Sequence, residues 1–251
     1  SLVWQVQKML LKNRANLVLT DSFSSKYSIN KLTGYPQDRI FVTHLAPGPE
    51  YRVIKDSGLL ARVKKQYQLP DKFVLYVGDI NWNKNIPGLV SACQNLKIPL
   101  VMVGKQALEE NFDHDHSENQ DLLWLQKQAK NNKLIYRLGF LPIEDLVAVF
   151  NLATVYCQPS FDEGFGLPVV QAMACGCPVL SSNQASMPEI AGEAAELVEP
   201  SIDSLTLGLK KLLSDQSRRK ELVKKGLDQV KQFSWLRTAQ QTVGVYKLAV
   251  L

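Results

Sequence analysis

Short unbroken apolar runs alternate with stretches of helical periodicity over most of this chain. Residues 73–77, 100–103, 134–138, 154–157, 178–181 and 195–198 are apolar runs of strand length. Continuous rather than alternating apolarity marks strands covered on both faces. Helices are expected between them, around 87–95, 120–130 and 142–150, after Gly166, and near 188–191. Residues 105–119 are polar and read as loop. Three helices at about 201–213, 215–231 and 235–249 close the chain. This alternation predicts an α/β fold, a Rossmann-like parallel sheet with helices on both faces. Ligands of such sheets sit beyond the C-terminal strand ends. Gly78 and the 158–166 turn both fall at such ends, so they can face one crevice.

The first 45 residues follow a shorter pattern. Leu2, Val6, Met9, Leu10 and Leu17 recur at helical spacing and predict an amphipathic helix over 2–16. A strand at 17–20 follows, then a helix to about Leu32 that Ser22 or Ser24 could cap and Gly34 would end. Residues 40–43 form another strand. Residues 44–51, with Pro47, Gly48 and Pro49, read as a linker.

The richest chemistry lies in residues 160–178, where Glu163, Gly164, Gly166 and Pro168 stand at the mouth of a predicted helix. A helix mouth offers unpaired N–H groups and the positive end of the macrodipole, which together suit phosphate. Gly164 and Gly166 allow a tight turn and close approach to a ligand, and Pro168 suits the first helical turn. The helix runs apolar through Val169, Val170, Ala172, Met173 and Ala174 and should stop at Gly176. Gly164-Phe165-Gly166 opens like a nicotinamide-binding fingerprint. Val169 occupies the place of its third glycine, and the motif comes late in the sheet, so that fingerprint is rejected.

Composition adds limits. The 251 residues are 45% hydrophobic and 21% charged, ordinary for a globular protein, and no apolar run reaches the length of a membrane span or reads as a signal peptide. Formal net charge is +5, and residues 201–251 hold ten Lys/Arg against four Asp/Glu. That basic tail is either a solvated helical face or a surface resting on anionic lipid. Its basic residues are not interleaved with aromatics, which disfavours nucleic acid. Cys93, Cys157, Cys175 and Cys177 all stand in apolar contexts, and Cys175-Gly-Cys177 is too tight for zinc. The expectation is a reduced, cytoplasmic protein, with peripheral placement at the inner face of the membrane as the lipid-bound alternative.

The motifs taken together resemble the retaining glycosyltransferases of the GT-B fold, family 4. The matching stretches are Tyr76-Val-Gly78 followed by Lys84-Asn85, Leu138-Gly139-Phe140, Pro159-Ser160, and Glu163-Gly-Phe-Gly-Leu-Pro168. Residues 172–179, Ser182-Asn183, Pro188-Glu-Ile-Ala-Gly192 and Phe233-Ser-Trp235 continue the match from about Thr20 to the chain's end. The resemblance implies a nucleotide-sugar-binding domain over 46–234. Residues 1–45 would be the end of an N-terminal acceptor domain, and 235–251 a helix crossing back toward it. The backbone at Gly166-Leu167 would meet the donor diphosphate, with Gly78, Gly164 and Phe165 also binding the donor. Lys84 would neutralise the diphosphate. Glu163 would bind hydroxyls of the transferred sugar, making Lys84 and Glu163 the catalytic pair. Gly139, Phe140 and Leu141 would border the base, and Gln171 would reach the ribose. No metal and no cofactor beyond a GDP- or UDP-linked sugar is expected.

The bland alternatives are a surface lysine at Lys84 and a helix cap at Glu163. His114 and His116 in a polar loop make a poor metal site, His44 lacks an obvious partner acid and reads as structural, and Trp235 reads as a packing anchor. Three departures from the family stand out. Gln171 replaces its second glutamate, eight positions after Glu163. Asp79 and Asn83 stand where members carry a phosphate-binding arginine. The family's N-terminal glycine-rich loop and catalytic-site histidine have no counterpart, and the chain begins at Ser1, so a fragment is expected. The implied activity is sugar transfer, with a leaning toward mannose and polysaccharide biosynthesis, to a saccharide or lipid-linked acceptor. The competing readings are an inactive nucleotide-sugar-binding module and a GT-B epimerase.

Overall fold

The computed structural model describes residues 2–250. Helix α1 (Leu2–Arg14) is shorter than its apolar spacing predicts and leads into β1 (Val18–Thr20), α2 (Phe23–Thr33) and β2 (Ile40–Val42). β1 and β2 pair in parallel, Val18 opposite Ile40. Of the two candidate caps for α2, Ser22 takes the role. Its hydroxyl accepts from Ser25 N, and Gly34 closes the helix at φ 69°.

Between residues 51 and 73, where the hydrophobic pattern predicts no element, Ser57–Gln66 forms α3. Asp56 caps it by accepting from Gly58 N and Leu59 N, and Leu59, Leu60 and Val63 lay its apolar stripe on the core. The alternation then runs β3 (Val74–Val77), α4 (Ile86–Asn95), β4 (Leu100–Val103), α5 (Gln120–Asn131), β5 (Ile135–Arg137), α6 (Ile143–Leu152) and β6 (Val155–Gln158). After these come α7 (Leu167–Ala174), β7 (Val179–Ser182), α8 (Met187–Ala191), β8 (Ala195–Val198), α9 (Ile202–Ser214), α10 (Gln216–Gln229) and α11 (Trp235–Ala249).

Among the described residues, β3 to β8 form one parallel sheet in the order β5-β4-β3-β6-β7-β8. Side chains alternate across it. Leu75, Val101 and Tyr156 face α3, α6 and α7, while Val74, Tyr76, Met102, Val155 and Leu180 face α4, α5 and α9. Both faces are covered, as the continuous apolar strands require. The strand order reverses direction between β3 and β6. Loops leaving adjacent strands at such a reversal diverge and leave a crevice. The loop after β3 carries Lys84, and the loop after β6 carries Glu163.

Candidate active site

Two loops are bound together at the reversal point. Phe161 N donates to Asn83 O at 2.8 Å, and Asn83 Nδ2 donates back to Asp162 O at 3.0 Å. Asn85, buried and left-handed at φ 53°, donates to Pro159 O at 3.0 Å and Pro200 O at 2.8 Å. Asn83 is thus spent on loop closure and leaves no cation where the family carries arginine. Asp79 is exposed, and its carbonyl accepts from the Tyr76 hydroxyl at 2.6 Å. In the same loop Asn81 Oδ1 is buried without a partner.

This bracing fixes Lys84 against Glu163. Lys84 Nζ lies 2.8 and 2.9 Å from the two Glu163 carboxylate oxygens, with both side chains mostly buried. Glu163 Oε1 also accepts from Gln158 Nε2 at 2.7 Å and from Ser160 Oγ at 2.8 Å. Gln158 is itself held by the Tyr156 hydroxyl, which donates to its Oε1. Burial, and then the Glu163 charge, push the Tyr76 phenol well above its ordinary range; burial does the same to Tyr156. Both hydroxyls therefore stay donors. The carboxylate of Glu163 caps no helix. The N-cap of α7 is Gly166 at φ 84°, with no side chain bonded there. Lys84 is no surface lysine either.

The first amides of α7 and of the turn before it are unpaired. Among the described residues, the N–H groups of Gly164, Phe165, Gly166 and Leu167 have no hydrogen-bond partner. Gly78 ends β3 with φ 150°, and its N–H donates to Val103 O. Gly104, which stands in none of the motifs, ends β4 at φ 156°. A Cβ there would stand 2.3 Å from Gly78 O, so the close pairing of these strand ends requires glycine. Gly139 ends β5 at φ 67° beside Leu108, and its carbonyl accepts from Gly104 N.

Other expected residues divide by side chain and backbone. Phe140 is exposed, at 82%. Leu141 is buried in the core, so only its backbone could border a base. Phe165 is also buried, packed with Val170 and Ile190, and its ring stands 5.6 Å from that of Phe233. Its side chain is therefore part of the packing, which leaves only its backbone for any ligand. Gln171 is half-buried on α7.

Three expectations about other residues meet the structure differently. His44 has a partner acid after all, because its Nε2 lies 2.6 Å from Glu189 Oε1. Trp235 is 47% exposed and anchors little. His114 and His116 lie in an exposed loop, and no group of three or more metal-ligating side chains occurs among the described residues. The four cysteines are free and buried. Four of the ten basic residues after residue 200 are ion-paired among the described residues: Lys211 and Arg218 on Glu196, Lys225 on Glu221 and Lys231 on Asp228. No described helix is long and apolar enough to cross a membrane.

A family model described as "Glycosyl transferases group 1" matches residues 61–229. The chain is 36% identical over 243 residues to O-antigen chain mannosyltransferase B of Escherichia coli, across 93% of this chain and 61% of that protein. It is 31% identical over 240 residues to the serotype-specific mannosyltransferase WbdA of Escherichia coli, across 95% of this chain and 29% of the relative. The chain thus spans about three-fifths or less of the length of these curated relatives. Sucrose-phosphate synthase from Thermosynechococcus elongatus superposes with a TM-score of 0.80 at 25% identity, over 97% of this chain and 60% of that one. Anabaena Alr3699/HepE, solved with UDP and glucose, shares the fold at a TM-score of 0.81 and 17% identity, over 97% of this chain and 66% of that one.

Proposed function

Because the chain belongs to the group 1 glycosyl transferases, family 4 of the GT-B fold, we propose that it binds a nucleoside-diphosphate sugar at the β3–β6 reversal and takes part in sugar transfer with retention. The observation that carries this reading is the Lys84–Glu163 pair beside the unpaired amides at the start of α7. In the proposed reaction the bond between the anomeric carbon and diphosphate oxygen breaks, its electron pair leaving with the diphosphate. An acceptor hydroxyl enters on the same face, its oxygen bonds the anomeric carbon, and its proton passes to the departing diphosphate.

Lys84 and the amides from Gly164 to Leu167 would stabilise the charge that grows on the leaving group, work done elsewhere by a metal ion. Glu163, acceptor-only as a carboxylate, would bind sugar hydroxyls. Gly139, Phe140 and the backbone of Leu141 would border the base, and Gln171 the ribose. The assignment of 46–234 to the donor side, of 1–45 to the acceptor side and of 235–251 to a helix crossing back toward that side belongs to the same proposal. Mannose from GDP-mannose is the preferred donor, since the relatives above are named mannosyltransferases. The acceptor is proposed to be a saccharide or lipid-linked saccharide.

One observation favours a second reading, a nucleotide-sugar-binding module without transfer. With Asn83 committed to loop closure and Asp79 acidic, the diphosphate lacks an arginine contact worth about 1.5–3 kcal/mol, or roughly ten- to a hundredfold in affinity. Calorimetric titration with GDP-mannose and UDP-glucose, followed by product analysis with saccharide acceptors in a protein that also carries a complete acceptor domain, separates the two. Binding with formation of an α-linked product supports transfer. Binding without product supports the module, and an absence of binding by either sugar nucleotide removes both.

A further inference from the structure

Two consecutive carbonyls of the donor turn are held from outside it. Ser186 Oγ donates to Glu163 O at 3.0 Å. From the other side, Ser22 Oγ donates to Gly164 O at 2.5 Å and Ser25 Oγ donates to the same oxygen at 3.3 Å. Ser22 and Ser186 are completely buried. The serines at 22 and 25 sit in the first turn of α2, some 140 residues away in the chain, on the small β1–β2 unit rather than the six-stranded sheet. Gly164 has no side chain of its own to fix its peptide, and a Cβ there would crowd Asp21 Oδ2 at 3.2 Å.

A trans peptide is planar, with its N–H opposite its C=O. Holding Gly164 O therefore sets the direction of Phe165 N–H, and holding Glu163 O sets that of Gly164 N–H. Both amides lack protein partners among the described residues. A glycine-rich turn with unanchored peptides could flip them at little cost, turning a carbonyl toward the ligand instead. Three hydroxyls oppose that flip.

We infer that Ser22 and Ser25 are positioning residues that aim the Phe165 amide at the donor's diphosphate, so that docking of the β1–β2 unit completes the anion site of the larger sheet. This rests on the reading of the α7 mouth as a diphosphate site. The serines touch no substrate, and they act through one peptide plane. A flip would replace a donor with an acceptor against a phosphate oxygen, an effect confined to ligands that reach the turn with a diphosphate.

Calorimetric titration of the full chain with GDP and UDP, and in parallel with GMP and UMP, tests this in the wild type and in Ser25→Ala, Ser25→Thr and Ser22→Ala. Ser22 also caps α2, so its variant changes helix stability, whereas Ser25 contributes no side-chain cap. Ser25→Ala is expected to weaken diphosphate binding about threefold and Ser22→Ala about tenfold, the scale of one hydrogen bond. Monophosphate binding should stay within about twofold, and Ser25→Thr should restore the wild-type value. Equal losses for mono- and diphosphates would show a merely structural role and overturn the inference. So would wild-type GDP affinity in both alanine variants. A wild type that binds neither GDP nor UDP would instead remove the diphosphate reading itself, and this inference with it.

Discussion

At Glu163 the surroundings decide which substitution is informative. Its carboxylate is the sole acidic partner that Lys84 has within ion-pair distance among the described residues, and it also satisfies Gln158 and Ser160. Glu163→Ala would strand a mostly buried ammonium and two donors, so a loss of activity would be mixed with a loss of stability. Glu163→Gln keeps shape and one acceptor oxygen while removing the charge. It should lower sugar transfer at least about a hundredfold, the worth of a charge-assisted contact at the reacting sugar, with nucleoside-diphosphate affinity little changed. Steady-state rates beside calorimetric affinities check this, and transfer at the wild-type rate would remove Glu163 from the chemistry. Asn85 makes a different demand, since its left-handed backbone and two carbonyl partners hold the Lys84 loop to the Glu163 loop. Asn85→Ala should cost about 2–4 kcal/mol in urea denaturation, from two orphaned carbonyls and an alanine in the left-handed region. Glu163, Lys84 and the glycines were legible because charge and glycine at strand ends are unusual. The roles of Gln158 and Asn85 were not. Gln158 stands at the end of an apolar run and Asn85 follows the polar Asn83-Lys84 pair, and only contacts spanning the fold reveal what each binds.

Among elements, α7 concentrates the requirements. Gly166 turns at φ 84°, and a Cβ added there would stand 2.2 Å from Met187 Cε, the mobile end of a flexible side chain. Gly166→Ala should therefore fold, with stability lowered by about 1–3 kcal/mol and nucleoside-diphosphate binding weakened, because the amide next to the turn moves. Thermal melts and titration together test it, and an alanine variant binding GDP at full strength would show that the turn does not touch phosphate. Strand β8 carries an electrostatic counterpart far from the site. Burial opposes ionisation of Glu196, yet hydrogen bonds from Lys211 on α9 and Arg218 on α10 outweigh it and hold its carboxyl below the ordinary range. A carboxylate with a depressed pKa stabilises the fold above its unfolded value, and that stability fades as pH falls through the folded value. Glu196→Gln should flatten the acid side of the stability profile below about pH 4.5 while lowering stability at pH 7. The strands of the large sheet were legible because burial on both faces leaves continuous apolar runs. Helix α3 was not, for its stripe is only Leu59, Leu60 and Val63 among charged residues and it follows a proline-rich linker. What fixes it is the Asp56 cap and a packing partner, α6, about 80 residues ahead.

For the molecule as a whole, the strand order does what no local pattern states, since it sets the loops after β3 and β6 side by side. A second long-range feature joins the β1–β2 unit to the large sheet. Glu189 on α8 accepts from Phe23 N at 3.0 Å and Ser24 N at 3.2 Å, at the positive end of α2, and its Oε1 lies 2.6 Å from His44 Nε2. His44 stands among Phe23, Phe165 and Phe233, and its carbonyl accepts from Thr238 Oγ on α11. One carboxylate thus ties the start of α2, the segment after β2 and α8 together, directly behind the serines that hold Gly164. No local pattern pairs His44 with its acid, because Glu189 lies 145 residues away. A carboxylate at a helix N-terminus is favoured by the macrodipole and by charge-assisted hydrogen bonds. Glu189→Gln keeps the length of the side chain but has one acceptor oxygen in place of two and no charge. The expected loss is about 1.4 kcal/mol at the seam, which is tenfold in a local opening equilibrium. Hydrogen exchange should then quicken about tenfold across α2 while the strands of the large sheet keep their protection. Faster exchange throughout the chain would mean that Glu189 supports global stability instead, and unchanged exchange in α2 would mean that the hydrophobic contacts around His44 hold the seam without it.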